Sequence, residues 1–241
     1  MPHPERGFTQ GLIVSDGTVW ESAGRYGRSA LRKYALGATE VASSARLSPE
    51  LWAEGICRVG MSIWQLTWKE RAALRWDAAT LGPVEWIRFN RDGWGICAVP
   101  VGENPAGEVV TSDGTSELVR RDPVTLEPRA VVQVRCRGHR VRWLNDLAWA
   151  DGLVWANVFG TTCIAGIDLA SGEVTDVVDA RAARERHGNP ELVMNGIAPM
   201  GHPGEFLLTG KGWRSIRHVR LVAARERRQM DRMLAGPSVR Y

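Results

Sequence analysis

A chain of 241 residues that is 44% hydrophobic and 24% charged can bury the core of one domain, and no low-complexity block divides it. No apolar run approaches the roughly 18 residues of a membrane span, and Met1 is followed by Pro-His-Pro rather than by the basic stretch and apolar core of an export signal, so as written the chain implies no membrane and a cytoplasmic compartment. The +4 formal charge arises from dispersed, interleaved residues, which argues against nucleic acid, and Cys57, Cys97, Cys136 and Cys163 have neither CxxC nor zinc-site spacing, so they read as buried free thiols.

In chain order the first element is Gln10-Gly11-Leu12, a polar residue followed by Gly and an aliphatic. The pattern returns as Glu54-Gly55-Ile56, Trp94-Gly95-Ile96, Asn145-Asp146-Leu147 and Asn195-Gly196-Ile197, at steps of 44, 40, 51 and 50 residues. Each copy leads into a β-branched or aromatic run ending in a small polar residue: VWES, WQLT, VVTS, VWAN and FLLTG, with Ser22, Thr67, Ser112 and Asn157 each 45 apart. A third column of alternating strands, among them LRWDAATLGPV, LVRRDPVTLEP and IAGIDLASGEV, runs into turns marked by Asp77, Asp122 and Asp168. A period of about 45 residues built from three or four short strands is the signature of propeller blades.

Five copies predict an all-β, five-bladed β-propeller in a single domain 1–241, with blades roughly 8–50, 51–90, 91–140, 141–190 and 191–241. Residues 222–234, VAARERRQMDRML, predict a C-terminal basic amphipathic helix, and SVRY at 238–241 a returning strand. A propeller must close its ring, and only seven residues precede Phe8, so this tail is expected to replace the usual closing strand.

The first strand of each propeller blade lines the axis, so Gln10, Glu54, Trp94, Asn145 and Asn195 are expected to converge on one funnel. A second clue is the scarcity of lysine: only Lys33, Lys69 and Lys211 occur among 31 basic residues, so a surviving lysine is a candidate for a role that needs an ammonium. The repeats alone leave open whether Trp68, Lys69 and Lys211 share the Glu54 pocket. Of the 11 tryptophans most must be core, and Trp20, Trp64 and Trp155, in strand columns, read as packing. Cys57 and Cys97 follow the aliphatic in equivalent inner strands and read as small buried spacers.

FTQGL (8–12), ESAGRYGRS (21–29), EGI (54–56), QLTWK (65–69), GWGI (93–96), SDGT (112–115), LNDLAW (144–149), ANVF (156–159), MNGIA (194–198) and LTGKGW (208–213) together resemble the plant and bacterial glutamine cyclotransferases. The resemblance implies a five-bladed propeller that converts the N-terminal glutamine of peptides or proteins into pyroglutamate with release of ammonia, with no catalytic metal or cofactor. It places the essential glutamate on Glu54 and the pocket on Phe8, Gln10, Trp68, Trp94, Asn145 and Lys211. The family usually has Trp at Phe159 and Glu at Asp146, which implies a narrower aromatic wall and a shorter supporting hydrogen bond. Its members usually carry an export signal and a further strand before the first motif. A monomer with a peptide partner is the expected unit.

For that reaction Glu54 would take a proton from the attacking amine and return it to the departing ammonia. Lys211, with the amides of Asn145 or Gln10, would stabilise the oxyanion, while Phe8, Trp68, Trp94, Phe159 and Asn195 would shape the substrate site. Two other readings stand beside it. Glu54, Asn145 and Asn195 supply hard oxygen ligands for a divalent cation, as in lactone- or phosphoester-hydrolysing propellers, although Trp94 and Gln10 fill the other ring positions; a structural cation is compatible with either enzyme. The third reading is a non-catalytic binding scaffold.

Overall fold

Short runs rich in Val, Ile and Trp, punctuated by Gly and Asp turns, favour antiparallel meanders over helices. The computed structural model describes residues 1–185, 189, 191–222 and 227–236. Blade one comprises β1 (Thr9–Ser15), β2 (Thr18–Ala23), β3 (Ala30–Ala35) and β4 (Ser43–Arg46); blade two comprises β5 (Ala53–Val59), β6 (Ser62–Thr67), β7 (Ala72–Asp77) and β8 (Pro83–Arg88). Blade three comprises β9 (Ile96–Val101), β10 (Asn104–Ser112), β11 (Glu117–Arg121) and β12 (Pro128–Gln133), and a hairpin of β13 (Arg135–Cys136) and β14 (His139–Arg140) follows it. Blade four is β15 (Leu144–Ala150), β16 (Leu153–Val158), β17 (Cys163–Ile167) and β18 (Val174–Asp179); blade five has three strands, β19 (Met194–Pro199), β20 (Glu205–Gly210) and β21 (Arg217–Arg220). These sheets form a five-bladed β-propeller.

The aspartates of the third column do what their spacing suggests. Asp77 accepts the N–H groups of Ala79 and Thr80, Asp122 those of Val124 and Thr125, and Asp168 that of Ala170, each within the turn between third and fourth strands. Blade-to-blade packing uses the expected tryptophans: Trp20 donates to the Ala78 carbonyl of the next blade, and Trp64, fully buried, donates to that of Pro123. Trp155 packs edge-on against Phe206 of blade five, and all four cysteines are buried and free.

Near the axis the pairing of first and second strands is interrupted at Thr9/Gly11, Ala53/Ile56, Leu144/Leu147 and Met194/Ile197. These irregularities bracket Gln10, Glu54, Asn145 and Asn195, so the inner strands bulge at the converging residues; bulges re-aim side chains. The glycine after the ring residue has a packing cause. Gly55 N–H donates to Trp94 O at 2.7 Å, and a Cβ on Gly55 would lie 2.6 Å from that oxygen, so a side chain would push the inner strands apart.

The N-terminus takes part in the last blade, which the sequence reading did not foresee. Residues 1–3 pair with 214–216: the Met1 ammonium donates to Ile216 O at 3.0 Å, Ile216 N–H to Met1 O at 3.1 Å and His3 N–H to Arg214 O at 3.0 Å, so the N-terminal segment covers the edge leading into β21. A helix, α1 (Arg227–Ala235), buries Met230 and Met233 in the core cluster of blade four rather than in blade five. The strand expected at 238–241 lies outside the described residues.

Candidate active site

The bulged inner strands open at one end of the axis into a pocket of about 610 Å³. It is lined by Phe8, Gln10, Trp68, Trp94, Asn145, Phe159, Glu54 and Lys211, eight of the nine residues expected from sequence. Asn195 is the exception. It is fully buried beneath the pocket floor, and its Nδ2 donates to Gln10 Oε1 at 3.0 Å, so it supports Gln10 rather than facing the cavity. Its bulge turns the side chain towards β1 across the blade seam.

Glu54 is 6% exposed and accepts a hydrogen bond from Gln10 Nε2 at 3.0 Å. The chain Asn195 to Gln10 to Glu54 thus spans three blades and fixes one carboxylate oxygen. Burial pushes the Glu54 carboxyl well above its ordinary range; the Lys211 ammonium pulls it back, and the buried Asp146 carboxylate adds to the rise. Lys211 responds in the opposite sense, lowered by burial to about 8 with Glu54 holding it up. A weakly acidic carboxyl beside a weakly basic amine is a pair poised to move protons near neutrality.

Lys211 is carried by the end of blade five, where its N–H donates to Val193 O and its backbone bridges to Phe8. Its Nζ lies 5.1 Å from the Phe8 ring centre and 4.8 Å from that of Phe159, and among the described residues it makes no hydrogen bond or ion pair. Two aromatic faces thus hold an ammonium while leaving its donors unclaimed. Asn145 is also unclaimed, with a buried Oδ1 that has no partner. Lys69 and Lys33 are surface cations, set over Trp68 and Trp20 respectively.

The aromatic wall is larger than expected. Trp52 touches Phe8 edge-on at 5.8 Å and tilts against Trp68 at 5.7 Å, while Trp94 meets Phe159 at 5.7 Å and Trp143 at 6.4 Å. Sequence reasoning missed Trp52, Trp143, Arg25, Tyr26 and Glu191, all pocket-lining. Trp52 had a readable signal, because residues two apart in extended chain share a face and Trp52 stands two before Glu54. Arg25 and Tyr26 lie inside a quoted motif, but their direction is set by loop geometry: Arg25 stacks 4.4 Å above Phe8 and Tyr26 donates to Glu70 at 2.7 Å. Trp143, with φ of 68°, and Glu191 sit on irregular backbone that carries no periodic signal.

Asp146 faces away from this cavity. It is fully buried and accepts the Ile197 N–H at 2.9 Å, with burial raising its carboxyl well above the ordinary range and the N–H groups of Ile197, Leu147 and Leu12 opposing the rise. The oxygen set considered for a cation is not assembled in the pocket, because Asn195 lies below Gln10; among the described residues no three His, Cys, Asp or Glu side chains cluster as a metal centre. An apolar-walled cavity with a buried carboxylate, a buried ammonium and the amides of Gln10 and Asn145 is suited to proton transfer on a small polar group held by hydrophobic walls.

Comparison with known proteins points the same way. A family model described as glutamine cyclotransferase matches residues 1–221. A glutaminyl-peptide cyclotransferase of Arabidopsis thaliana is 31% identical over 229 residues, covering 92% of this chain and 70% of its own. The crystal structure of Myxococcus xanthus glutaminyl cyclase superposes with a TM-score of 0.83 at 33% identity, covering 92% of this chain and 94% of that one. The WD40 β-propeller domain of Doa1, at 10% identity, TM-score 0.52 and coverage of 90% of this chain and 64% of that one, shares the fold alone.

Proposed function

The chain belongs to the glutamine cyclotransferase family, and we propose that the axial pocket closes the N-terminal glutamine of a peptide or protein into pyroglutamate with Glu54 as the proton shuttle. The enzyme is a glutaminyl-peptide cyclotransferase. The observation that carries the site assignment is that Glu54 and Lys211 are buried in one pocket with their pKa values shifted towards each other.

The substrate's α-amine attacks its own γ-carboxamide carbon, so the nucleophile is already tethered and the walls need only fold the side chain back. Phe8, Trp52, Trp68 and Trp94 enclose its methylenes and displace water. As the carbon–nitrogen bond forms, the ionised Glu54 takes the amine proton and the carbonyl oxygen becomes an oxyanion. The Lys211 ammonium and the Asn145 amide are the donors placed to stabilise that charge. Glu54 then returns the proton to the amide nitrogen, the C–N bond breaks, the carbonyl re-forms and ammonia leaves; the balance is one peptide in, one pyroglutamyl peptide and one ammonia out. Gln10, held by Asn195, keeps one Glu54 oxygen in place while the other serves the substrate.

The C-terminal segment is read as a basic helical tail of the one domain, supported by the helix Arg227–Ala235 docking its methionines on blade four. Ammonia release from a peptide with N-terminal glutamine, with pyroglutamate identified by mass, tests the assignment in wild type and Glu54→Gln. Turnover is expected in the first and its near-complete loss in the second; equal turnover in both would remove Glu54 from the mechanism.

A further inference from the structure

A second cavity, of about 360 Å³, lies beside the first on the same face, between blades four and five and the helix α1. Its wall includes Arg181, Arg184 and Arg232 and, among the described residues, no carboxylate. It adjoins the catalytic pocket at three points. Gly160 of its wall follows Phe159 of the pocket in the chain, Val193 receives the Lys211 N–H, and Gly236 sits against the Trp143 ring, where an added Cβ would lie 3.2 Å away.

The arginines are held in place but not neutralised. Asp179 accepts from Thr162 Oγ1 at 2.7 Å, from the Arg181 N–H at 3.1 Å and from the Arg232 guanidinium at 3.0 Å, and it also pairs with the Arg181 guanidinium. One carboxylate thus anchors two guanidinium groups that remain more than half exposed, at 58% and 53%. Arg184 has no ion partner among the described residues. Among the described residues, three guanidinium groups against one carboxylate leave a positive cleft with fork-shaped donors, the geometry that recognises carboxylates.

We propose that this arginine cleft is the subsite for acidic side chains of the substrate, beyond its second residue. An extended peptide advances about 3.3 Å per residue, so a chain whose first residue is held in the catalytic pocket and which leaves across the shared wall reaches the cleft within a few residues. The occupant is an acidic stretch of the peptide being cyclised; it rests on the pocket being the cyclotransferase site. Exposed charge pairs are individually weak and salt-sensitive, so the cleft selects among peptides and accelerates their capture rather than acting in the chemistry.

The test compares Gln-Ala followed by three Glu, three Gln or three Lys, with the dipeptide Gln-Ala as a probe too short to reach the cleft. In the wild type at low salt, kcat/KM for the Glu peptide is expected to exceed that for the Lys peptide roughly tenfold. The gap should narrow towards unity near 0.5 M salt, where screening reaches only about 4 Å. Arg184→Glu with Arg232→Glu should reverse the order while leaving dipeptide turnover unchanged. Arg184→Glu alone, which breaks no ion pair among the described residues, should close most of the gap and serves if the double variant folds poorly. Equal rates for the three peptides, or an acidic preference that survives Arg184→Glu undiminished, overturns the proposal. Failure on the dipeptide as well would instead overturn the catalytic assignment.

Discussion

Two glutamates of this propeller are both buried and behave in opposite ways. Glu21, on β2, is fully buried and receives His3 Nε2 at 2.9 Å, Thr9 Oγ1 at 2.8 Å and Tyr34 OH at 3.2 Å, with the Arg32 guanidinium 3.9 Å away. Burial alone would raise its carboxyl, but His3, Arg32 and Thr9 hold it below the ordinary range. Glu54 accepts from Gln10, and Lys211 and Trp52 also hold its carboxyl down, yet burial wins. Burial sets the cost of a charge, and the number of donors decides whether that cost is met. At the seam between N-terminus and blade one it is met in full; at the axis it is left partly unmet, and a substrate completes the set.

The sharpest way to break the comparison is to remove each carboxylate. Glu54→Gln keeps the shape and the Gln10 contact but cannot carry a proton; kcat is expected to fall by about 10²–10⁴, read as ammonia release, with little change in binding. Glu21→Ala should do the reverse. It leaves the buried His3 imidazole without its carboxylate and the Arg32 guanidinium with Glu5 alone, a loss of about 3–5 kcal/mol by denaturant unfolding, while turnover per folded molecule stays near wild type. If Glu21→Ala folded normally, the latch between His3 and blade one would have no structural weight.

Lys211→Met comes next. It keeps contact with Phe8 and Phe159 but removes the oxyanion's cationic donor, and a fall of about 10²–10³ in kcat is expected. The pH profile separates this from simple misfolding. Glu54 must be ionised to accept a proton, so the acid limb of kcat/KM should lie well above the ordinary carboxylate range, and the basic limb near 8 where Lys211 loses its charge. The ammonium lowers the Glu54 pKa, so in Lys211→Met the acid limb should move further up and the basic limb of Lys211 should vanish. A variant profile superimposable on wild type would place Lys211 outside the reacting centre.

The contrast between the two glutamates was only half legible in the sequence. The recurring ring residue marked Glu54; the scarcity of lysine marked Lys33, Lys69 and Lys211 alike, and the family resemblance singled out Lys211 among them. Asn195 occupied the same repeat position and was misplaced, since a bulge decides whether a ring residue faces the cavity or a neighbouring blade, and bulges leave no trace in spacing. The N-terminal contribution to the last blade went unseen for a similar reason: residues 1–3 are too few to show a strand period, yet they hold three backbone hydrogen bonds and deliver His3 to Glu21. Trp143 and Glu191 reach the pocket from loops, where direction is set by tertiary contacts.

The smallest expected effect is on stability and has opposite signs at the two sites. Glu21 has a lowered folded pKa, so its contribution is present above the unfolded value near 4.5 and is lost as pH falls through the folded value. Its partner His3 is raised by Glu21 despite burial, so its share is complete below 6.5 and disappears as pH rises through the folded value. The latch is therefore strongest between those two reference values. Glu54 has a raised folded pKa: from pH 4.5 upward the unfolded chain releases its proton while the folded one retains it, so stability declines until the folded value is passed. Glu54→Gln removes that decline. Its Tm should exceed wild type by a few degrees at pH 7 and match it at pH 4, whereas Glu21→Gln should lie below wild type at pH 6 and approach it only in acid. A Glu54→Gln variant no more stable at pH 7 than at pH 4, relative to wild type, would mean that the pocket already meets the cost of the charge and that the unmet donors of Glu54 are not what sets it apart from Glu21.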